Sequence, residues 1–323
     1  MSKRKPRVKK SHYVPQAYLR LFANDERLYV FDKAQRRYYG SHIKDVCSER
    51  DFYECEGLED VTGPDYRVED LFHGFEDAGA RVIRDTVEAI RQGAFTELPK
   101  SQRLDLALFL AMQHLRTKRM REVAGQLMES ISKESFLAHI RRTQPDLPME
   151  DSWISISADE RARTAAQFWL VSDEDVRVVV AGMLSHRVWL LVHNETGNPF
   201  YTSDHPLAEH GEFGPAVEST ATSMAQTLAE KFGEAGLFRK ILPSLLANLF
   251  AMPLRVVFPL SPDVVLVMLD RQRYSGGASI DGQMQPMMDA RDLEFYNSLQ
   301  VMQAYRQVYS KDPDFALALR LVQ

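Results

Sequence analysis

The chain has 323 residues, of which 45% are hydrophobic and 26% are charged, with a net charge of −5. This composition is typical of a globular protein and excludes a collagen, a coiled-coil rod and a long disordered chain. The two cysteines, Cys47 and Cys55, are too few for a disulfide framework or a four-cysteine zinc site, and they favour a reducing compartment. No apolar run approaches the ~20 residues that span a bilayer, and the basic start of the chain lacks the apolar core of a secretory signal. We therefore expect a cytoplasmic protein without a membrane partner.

A basic arm precedes an acidic remainder. The first ten residues hold six cations and no acid. The remaining residues therefore carry a net charge of −11, which together with +6 from the arm gives the overall −5. Such an arm suits contact with the phosphates of nucleic acid, although a solvated tail explains the same residues equally well. We predict a flexible arm over residues 1–10 and a single domain over residues 11–323. The cations are Lys3, Arg4, Lys5, Arg7, Lys9 and Lys10.

The first half of the chain is predicted to be mostly helical. Pro15 can begin a short helix, and residues 28–32 and 37–42 have the pattern of a hairpin. Two long helices follow, over residues 65–92 and from Ser101 to about residue 130, and helical patterns continue to residue 180 with a break at Pro145 and Pro148. Their apolar stripes are Phe72, Phe75, Gly79, Ile83, Val87 and Ile90 in the first, and Leu104, Leu108, Ala111 and Leu115 in the second.

Strand patterns gather in the second half. Residues 187–193 and 199–202 flank a turn and predict one hairpin, and residues 255–259 and 264–269 predict another. Residues 216–250 between them are predicted to be helical, as is a last segment from Asp289 to Tyr309. Early helices and late hairpins together favour an α+β fold with a central antiparallel sheet.

Thr202-Ser203-Asp204-His205-Pro206 is the strongest local candidate for a site. Four polar residues stand where a predicted core strand ends, and loops at strand ends often carry function. Asp204 could orient a water, act as a base or stabilise a developing cation. An ordinary turn before a proline has the same composition.

His12 is a second candidate, because it lies between the basic arm and the Pro15 helix. It could face a cleft, or it could be an ordinary packing or capping group. The nine histidines have no metal-binding spacing, and there is no glycine-rich phosphate loop, nucleophile elbow or Cys-x-x-Cys. The sequence therefore predicts no metal and no cofactor.

Several polar residues fall on predicted apolar helix faces. At 100° per residue, Glu76 lies about 40° from the stripe of its helix, and Arg119 and Glu122 continue the stripe of the next one. Asn297 faces the same way as the apolar residues of the last helix. Buried charges need partners, so these groups could form an internal salt bridge, such as Glu76 with Arg119. They could equally line a pocket whose rim is Glu76, Arg116, Arg119, Asp204 and Asn297.

Three tyrosines flank these candidates and could stack on a base or a sugar: Tyr13, Tyr18 and Tyr201.

An ordered set of short blocks resembles a bacterial family known as domain of unknown function 4238. The blocks run through the chain from residue 12 to residue 310. At two positions the chain departs from the family pattern, which tends to show Arg-Thr-Pro at residues 116–118 and leaves position 205 open. The blocks are His12-x-x-Pro15-x-x-Tyr18-Leu19-x-x-Phe22, Arg50-Asp51-Phe52-Tyr53, Thr202-Ser203-Asp204-x-Pro206, Phe258-Pro259-Leu260-Ser261-Pro262, and Asn297 with Arg306-x-Val308-Tyr309-Ser310.

The resemblance implies a role in defence against phage. Members of the family are associated with DNA-glycosylase activity against heavily modified phage cytosines, such as glucosylated hydroxymethylcytosine. The implied partner is phage genomic DNA. A glycosylase extrudes its target base and needs few groups to cleave the glycosidic bond, which agrees with a basic arm and a carboxylate-lined pocket.

On this hypothesis each candidate has a role. Asp204 stabilises the oxocarbenium-like sugar or activates water, with Glu76 as the alternative carboxylate, and Asn297 or Glu76 orients the water. His12 hydrogen-bonds the departing base or a phosphate. Arg116 and Arg119 hold phosphate or support the carboxylates, and Tyr13, Tyr18, Tyr201 and Ser203 contact the substrate. No lysine lies inside the matched blocks, which favours hydrolysis over Schiff-base chemistry.

Two hypotheses of other classes compete. One is a metal-dependent nuclease with Glu76, Glu122 and Asp204 as ligands. The other is a non-enzymatic sensor that binds phage protein or nucleic acid through the same pocket.

Overall fold

A computed structural model describes residues 10–53, 68–148, 150–211, 254–274 and 276–322. Five cations of the predicted arm (Lys3, Arg4, Lys5, Arg7 and Lys9), Cys55 and the helix predicted over residues 216–250 lie outside the described residues. The remaining parts fold as helices in the first half and strands mainly in the second, which confirms the α+β class. Among the described residues, no helix combines the length and apolarity needed to cross a membrane.

Helices pack against sheets to enclose the core. The described helices are α1 (Gln16–Leu19), α2 (Val68–Arg91), α3 (Lys100–Leu115), α4 (Lys118–Thr143), α5 (Glu160–Ser172), α6 (Glu174–His186), α7 (Ala290–Gln303) and α8 (Ala316–Leu321). The strands are β1 (Ser11–His12), β2 (Arg27–Asp32), β3 (Arg37–His42), β4 (Ser48–Glu49), β5 (Val188–Asn194), β6 (Thr202–Ser203), β7 (Ala208–His210), β8 (Arg255–Ser261), β9 (Val264–Leu269), β10 (Gln283–Met287) and β11 (Gln307–Ser310).

Within the described ranges, the strands form three sheets. The largest has the order β10-β5-β9-β8-β7 and is antiparallel except for its β10–β5 edge, which is parallel. A second sheet has the order β3-β2-β11-β6, and β1 pairs with β4 in a third. The predicted hairpins β2–β3 and β8–β9 are both present. The first hairpin of the second half was predicted wrongly, because β6 pairs with β11 rather than with β5.

The stripe predicted for α2 is confirmed. Phe72, Gly79, Ile83 and Val87 are buried in the largest apolar cluster or at its edge. Gly79 permits the close approach of α2 to α3, because a Cβ atom at this position would overlap the ring of Phe109. Glu76 lies close to this same face of α2 and is therefore partly buried.

The second long helix is two helices. The chain turns at Arg116 and Thr117, and the Thr117 hydroxyl then caps α4 by accepting a hydrogen bond from the Met120 backbone N–H at 3.4 Å. Leu104, predicted to be buried, is exposed, since the buried face of α3 runs through Leu106 and Leu110. The predicted last helix is also shorter than expected, and residues beyond it form β11.

The core joins the two ends of the chain. The largest apolar cluster contains Tyr13 and Tyr18 from the start, α2 and α3 from the middle, and Tyr309 of β11 from the end. A smaller cluster packs Phe31 of β2 against Phe315 just before α8. Ser11 of β1 donates to Glu69 of α2, and the Tyr13 carbonyl next to β1 accepts from Gln113 of α3, so this segment is held against both helices.

Candidate functional site

Asp204, the predicted catalytic carboxylate, is bound to a backbone loop. It is buried directly after β6, and its oxygens accept hydrogen bonds of 2.8 Å from the backbone N–H groups of Tyr305, Arg306 and Gln307. Burial raises the pKa of Asp204 to about 6, whereas these donors and the charge of Lys33 act to lower it. Three donors use most of the acceptor capacity of one carboxylate, so the side chain ties β6 to the segment that enters β11.

The polar neighbours of Asp204 also have structural partners. Ser203 Oγ donates to Gln300 Oε1 at 2.8 Å. Asn297 accepts a hydrogen bond of 2.7 Å from the Tyr201 backbone N–H and donates to the Pro199 carbonyl at 3.1 Å. These contacts fix the segment that leads into β6 against α7. The structure brings Asp204, Ser203 and Asn297 into one region, where each holds backbone or a neighbouring side chain.

His205 belongs to a buried imidazole pair. Its Nδ1 lies 2.8 Å from Thr117 Oγ1, and its ring centroid is 4.9 Å from that of His114. Burial lowers the pKa of both histidines, to about 3 for His114, and the charge of Arg119 acts in the same direction. Both rings are therefore neutral near pH 7, and the pair joins the α3–α4 turn to the end of β6.

The three predicted stacking tyrosines are buried. Tyr18 donates to the Pro259 carbonyl at 2.7 Å, and Tyr201 donates to the Asp314 carbonyl at the same distance. Tyr13 packs against Phe52 with ring centroids 5.1 Å apart. All three rings pack inside the protein, and their stacking on a substrate stays a prediction.

Arg116 and Glu76 form the ion pair of a separate polar cluster. Arg116 is only 1% exposed, and its Nη1 donates to Glu76 Oε1 at 2.5 Å, whereas the Glu76 side chain is 26% exposed. Gln113 Oε1 accepts hydrogen bonds of 3.2 Å from Arg116 Nε and Nη2, and the guanidinium carbon lies 4.8 Å from the centroid of the Phe72 ring. The guanidinium is therefore fixed on several sides, and it anchors a carboxylate that reaches solvent.

His12 belongs to the same cluster. Burial lowers its pKa, as do the charges of Lys10 and Arg116, whereas the hydrogen bond that His12 donates to the Lys44 backbone and the charge of Glu76 act to raise it. His12 Nε2 is buried and has no hydrogen-bond partner within the part of the chain that the structure describes. A buried imidazole nitrogen without a partner is uncommon and is available to a ligand.

Tyr53 also belongs to this cluster. Its ring packs on Phe72 with centroids 5.3 Å apart. Its hydroxyl is buried and has no hydrogen-bond partner among the described residues. Burial raises the pKa of Tyr53, against the charge of Arg116, so the hydroxyl stays protonated at neutral pH. We call His12, Tyr53, Glu76, Gln113 and Arg116 the Arg116 centre.

Sequence reasoning identified three members of the Arg116 centre and missed Tyr53 and Gln113. Tyr53 stood inside a block that resembled the family, but no chemistry was assigned to it. Gln113 precedes Arg116 by three residues, which places both side chains on one face of a helix. Gln113 Nε2 also donates to the Tyr13 carbonyl at 3.1 Å, next to His12.

The Glu76–Arg119 salt bridge, one of the two alternatives that the sequence left open, does not form. Glu76 pairs with Arg116, whereas Arg119 Nη1 donates to the Gln303 carbonyl at 2.9 Å. Arg119 belongs to α4, which begins at Lys118 after the turn at Thr117, so the direction of its side chain cannot be extrapolated from α3.

The three carboxylates that the metal-nuclease hypothesis assigns as ligands each have a different partner. Glu76 binds Arg116, Glu122 binds Arg163 and Asp204 binds backbone N–H groups. Across the described ranges, no group of three or more His, Cys, Asp or Glu side chains could hold a metal ion.

A separate cavity of about 630 Å³ opens between the start of the chain and the β8–β9 turn. Its lining includes Arg20, Arg91, Asn194, Asp263 and Lys311, and none of the predicted site residues. The bidentate pair of Arg91 with Asp263, at 2.6 and 2.7 Å, forms part of its wall.

The profile of one protein family, described as protein of unknown function (DUF4238), matches residues 10–314. The chain belongs to this family. No curated protein and no solved structure matches it significantly. The DUF4238 match covers the Arg116 centre, the Asp204 loop and the α3–α4 turn, and it confirms the resemblance seen in the sequence blocks.

Proposed function

We propose that this DUF4238 protein is a DNA glycosylase that excises a modified cytosine, such as glucosylated hydroxymethylcytosine, from phage DNA. The observation that carries the proposal is the Arg116 centre. A half-buried carboxylate is anchored there by a buried guanidinium, beside an imidazole and a phenol whose polar atoms have no partner among the described residues. Glycoside hydrolysis requires a carboxylate near the anomeric carbon and donors for the leaving group.

Glu76 takes the role of the catalytic carboxylate in this proposal. Because it is part of an ion pair and reaches solvent, it can stabilise the positive charge that develops on the sugar and accept a proton from the attacking water. The C1′–N bond breaks, the water oxygen bonds to C1′, and the electron pair of the broken bond stays on the base. Arg116 and Gln113 position the carboxylate without touching the substrate.

Tyr53 takes the role of donor to the departing base, and His12 takes the role of acceptor. His12 donates a hydrogen bond to the Lys44 backbone from its other ring nitrogen, so Nε2 of the neutral imidazole can accept from an N–H group of the base. The Tyr53 hydroxyl remains protonated and can stabilise the negative charge that forms on the base. Asp204 acts as a structural anchor in this proposal, because its carboxylate is occupied by three backbone donors.

The direct test is base release from several phage genomic DNAs, modified and unmodified, in the presence of a chelator. Abasic sites are measured as alkali-sensitive breaks, and free bases are identified by mass spectrometry. We expect one modified DNA to lose its modified cytosine. The substitution Glu76→Gln should lower the single-turnover rate by roughly 10²-fold or more, the usual effect of losing an acid–base group.

Asp77→Asn is the matched control, because Asp77 is an exposed carboxylate one residue away on α2. It should leave the rate within about twofold of the native protein, the level of change expected for a residue outside the site. Normal activity of a folded Glu76→Gln variant would remove Glu76 from the mechanism. Loss of activity in a folded Asp204→Asn variant alone would transfer the role to Asp204. Intact DNA in every sample, with protection of cells retained, would favour the sensor hypothesis.

A further inference from the structure

One face of the edge strand β3 exposes an aromatic ring beside cations. Side chains alternate along a strand, so Arg37 and Tyr39 lie on one face and Tyr38 lies on the other. Tyr39 is 37% exposed, and the guanidinium carbon of Arg37 lies 5.7 Å from the centroid of its ring. Within the described residues, Arg37 has no acidic partner. We call Arg37, Tyr39, Arg306 and Gln307 the Tyr39 face.

Arg306 adds a second guanidinium group to this face. It donates from Nε and Nη2 to Asp32 Oδ2 at 2.9 and 2.8 Å, and half of its side chain is exposed. A guanidinium has five N–H groups, so the remaining three can bind phosphate. The register of the sheet places Arg37 opposite Asp32 and Asp32 opposite Gln307, which keeps these residues in one row.

A chain of hydrogen bonds connects the Tyr39 face to the Arg116 centre. Gln307 Nε2 donates to the Tyr39 hydroxyl at 3.3 Å, and Gln307 Oε1 accepts from Tyr309 at 2.9 Å. Cys47 Sγ lies 2.9 Å from the Tyr309 hydroxyl, and the Cys47 carbonyl accepts from the Tyr13 backbone N–H at 2.9 Å.

The link ends at His12, which directly precedes Tyr13 and pairs with Ser48 across the β1–β4 ladder. The link passes through the buried residues Cys47 and Tyr309, so the core connects the two regions. Two cations lie close to Tyr13 and His12. Lys118 Nζ lies 5.5 Å from the centroid of the Tyr13 ring and pairs with Glu49, and Lys10 pairs with Asp45 and acts on His12 through its charge.

We infer that the Tyr39 face binds a single strand of DNA and leads it to the Arg116 centre. The inference rests on the proposed function for its choice of DNA as the ligand. Bases of any sequence can stack on an exposed aromatic ring, while cations along the same track bind the phosphates. An apolar protein partner fits less well, because the Tyr39 ring is bordered by the guanidinium groups of Arg37 and Arg306.

Two variants test the two kinds of contact. The probe is a fluorescein-labelled DNA single strand of 20 nucleotides and mixed sequence, and the readout is fluorescence anisotropy. Tyr39→Ala should raise the Kd by roughly five- to a hundredfold, the range for one base–aromatic stack. Arg37→Gln should weaken binding and make the plot of log K against log salt shallower by about 0.7 for a single strand.

Matched controls lie on the same strand and on a distant helix. Tyr38→Ala removes an equally large ring from the opposite face, where Tyr38 is 51% exposed, and Arg142→Gln removes an exposed charge from α4. Both should leave the Kd within about twofold, as expected for residues outside the contact. Tyr39→Phe keeps the ring, loses the hydrogen bond to Gln307, and should bind almost as well as the native protein.

The outcomes separate this inference from the proposed function. Equal binding by Tyr39→Ala, Arg37→Gln and the controls would overturn the inference, even if the native protein released bases. Equal losses in Tyr39→Phe and Tyr39→Ala would overturn the stacking contact, and about tenfold tighter binding of an RNA strand of the same sequence would overturn the choice of DNA. Weakened binding in the two test variants alone would support the inference, even if no DNA lost a base and the proposed function failed.

Discussion

At the residue scale, Asp204 and Glu76 illustrate two uses of a partly or fully buried carboxylate. Asp204 accepts three backbone hydrogen bonds and has no solvent contact, so its charge serves to fix a loop. Glu76 accepts from one fixed guanidinium and retains a side that faces solvent. The number of internal donors therefore distinguishes a structural carboxylate from one that can meet a ligand.

Asp204→Asn should lower the stability of the protein. The asparagine side chain has one acceptor oxygen, which can replace only one of the two carboxylate oxygens. Its NH₂ group takes the position of the other oxygen, so at least one buried backbone N–H loses its hydrogen-bond partner. We expect the free energy of unfolding to fall by roughly 1–3 kcal/mol, measured by urea denaturation. Asp146→Asn, on an exposed loop, is the control and should change it by less than about 0.5 kcal/mol. Unchanged stability would contradict the anchoring role.

At the scale of elements, the packing of α2 on α3 determines where Glu76 meets Arg116. The two helices approach closely at Gly79, one turn beyond Glu76, because glycine leaves room for Phe109. Arg116 follows the last residue of α3, so a change in this packing would alter the ion pair directly.

Gly79→Ala and Gly74→Ala should have opposite effects. A methyl group at position 79 would overlap Phe109, and the expected loss is roughly 1–3 kcal/mol of unfolding free energy. A methyl group at position 74 has nothing within 4 Å, so alanine should stabilise the helix by roughly 0.5–1 kcal/mol. Both values are measured by thermal and urea unfolding. Destabilisation of the same size in both variants would show that the contact with Phe109 is not the cause.

At the scale of the whole molecule, the imidazole pair joins the helical half to the sheet. His114 lies in the last turn of α3, next to the turn at Thr117, and His205 follows β6. Burial keeps the folded-state pKa of both below the ordinary value of 6.5, so the unfolded chain binds more protons as the pH falls through that value. These two groups therefore stabilise the fold least in acid, and their contribution is fully present above the unfolded pKa.

His205→Asn isolates this effect. Asparagine can keep a hydrogen bond to Thr117 but does not gain a proton in the unfolded state. Between pH 7 and pH 5, the free energy of unfolding of the native protein should fall by about 2 kcal/mol more than that of the variant. Urea titrations at several pH values provide the measurement, and parallel pH profiles for the two proteins would refute the assignment.

The sequence predicted much of the local structure because its signals are local. The alternation of apolar and polar residues identified β2, β3, β8 and β9, and the 3.6-residue period identified the buried face of α2. The same period indicated that Glu76 points into the protein. His12, Glu76 and Arg116 were identified as candidates from local sequence patterns alone.

The tertiary structure decided which of these residues meet. Arg119 does not meet Glu76, because the helix breaks at Arg116 and Thr117 and a break changes the direction of every later side chain. β6 joined β11 rather than β5 because strand pairing depends on packing between segments about a hundred residues apart. By itself the sequence determined the α+β class, the family, and the residues able to bear charge inside the protein. Only the tertiary structure gave Asp204 its three backbone donors and left Glu76 open to solvent, because hydrogen bonds and burial depend on segments that are distant in the chain.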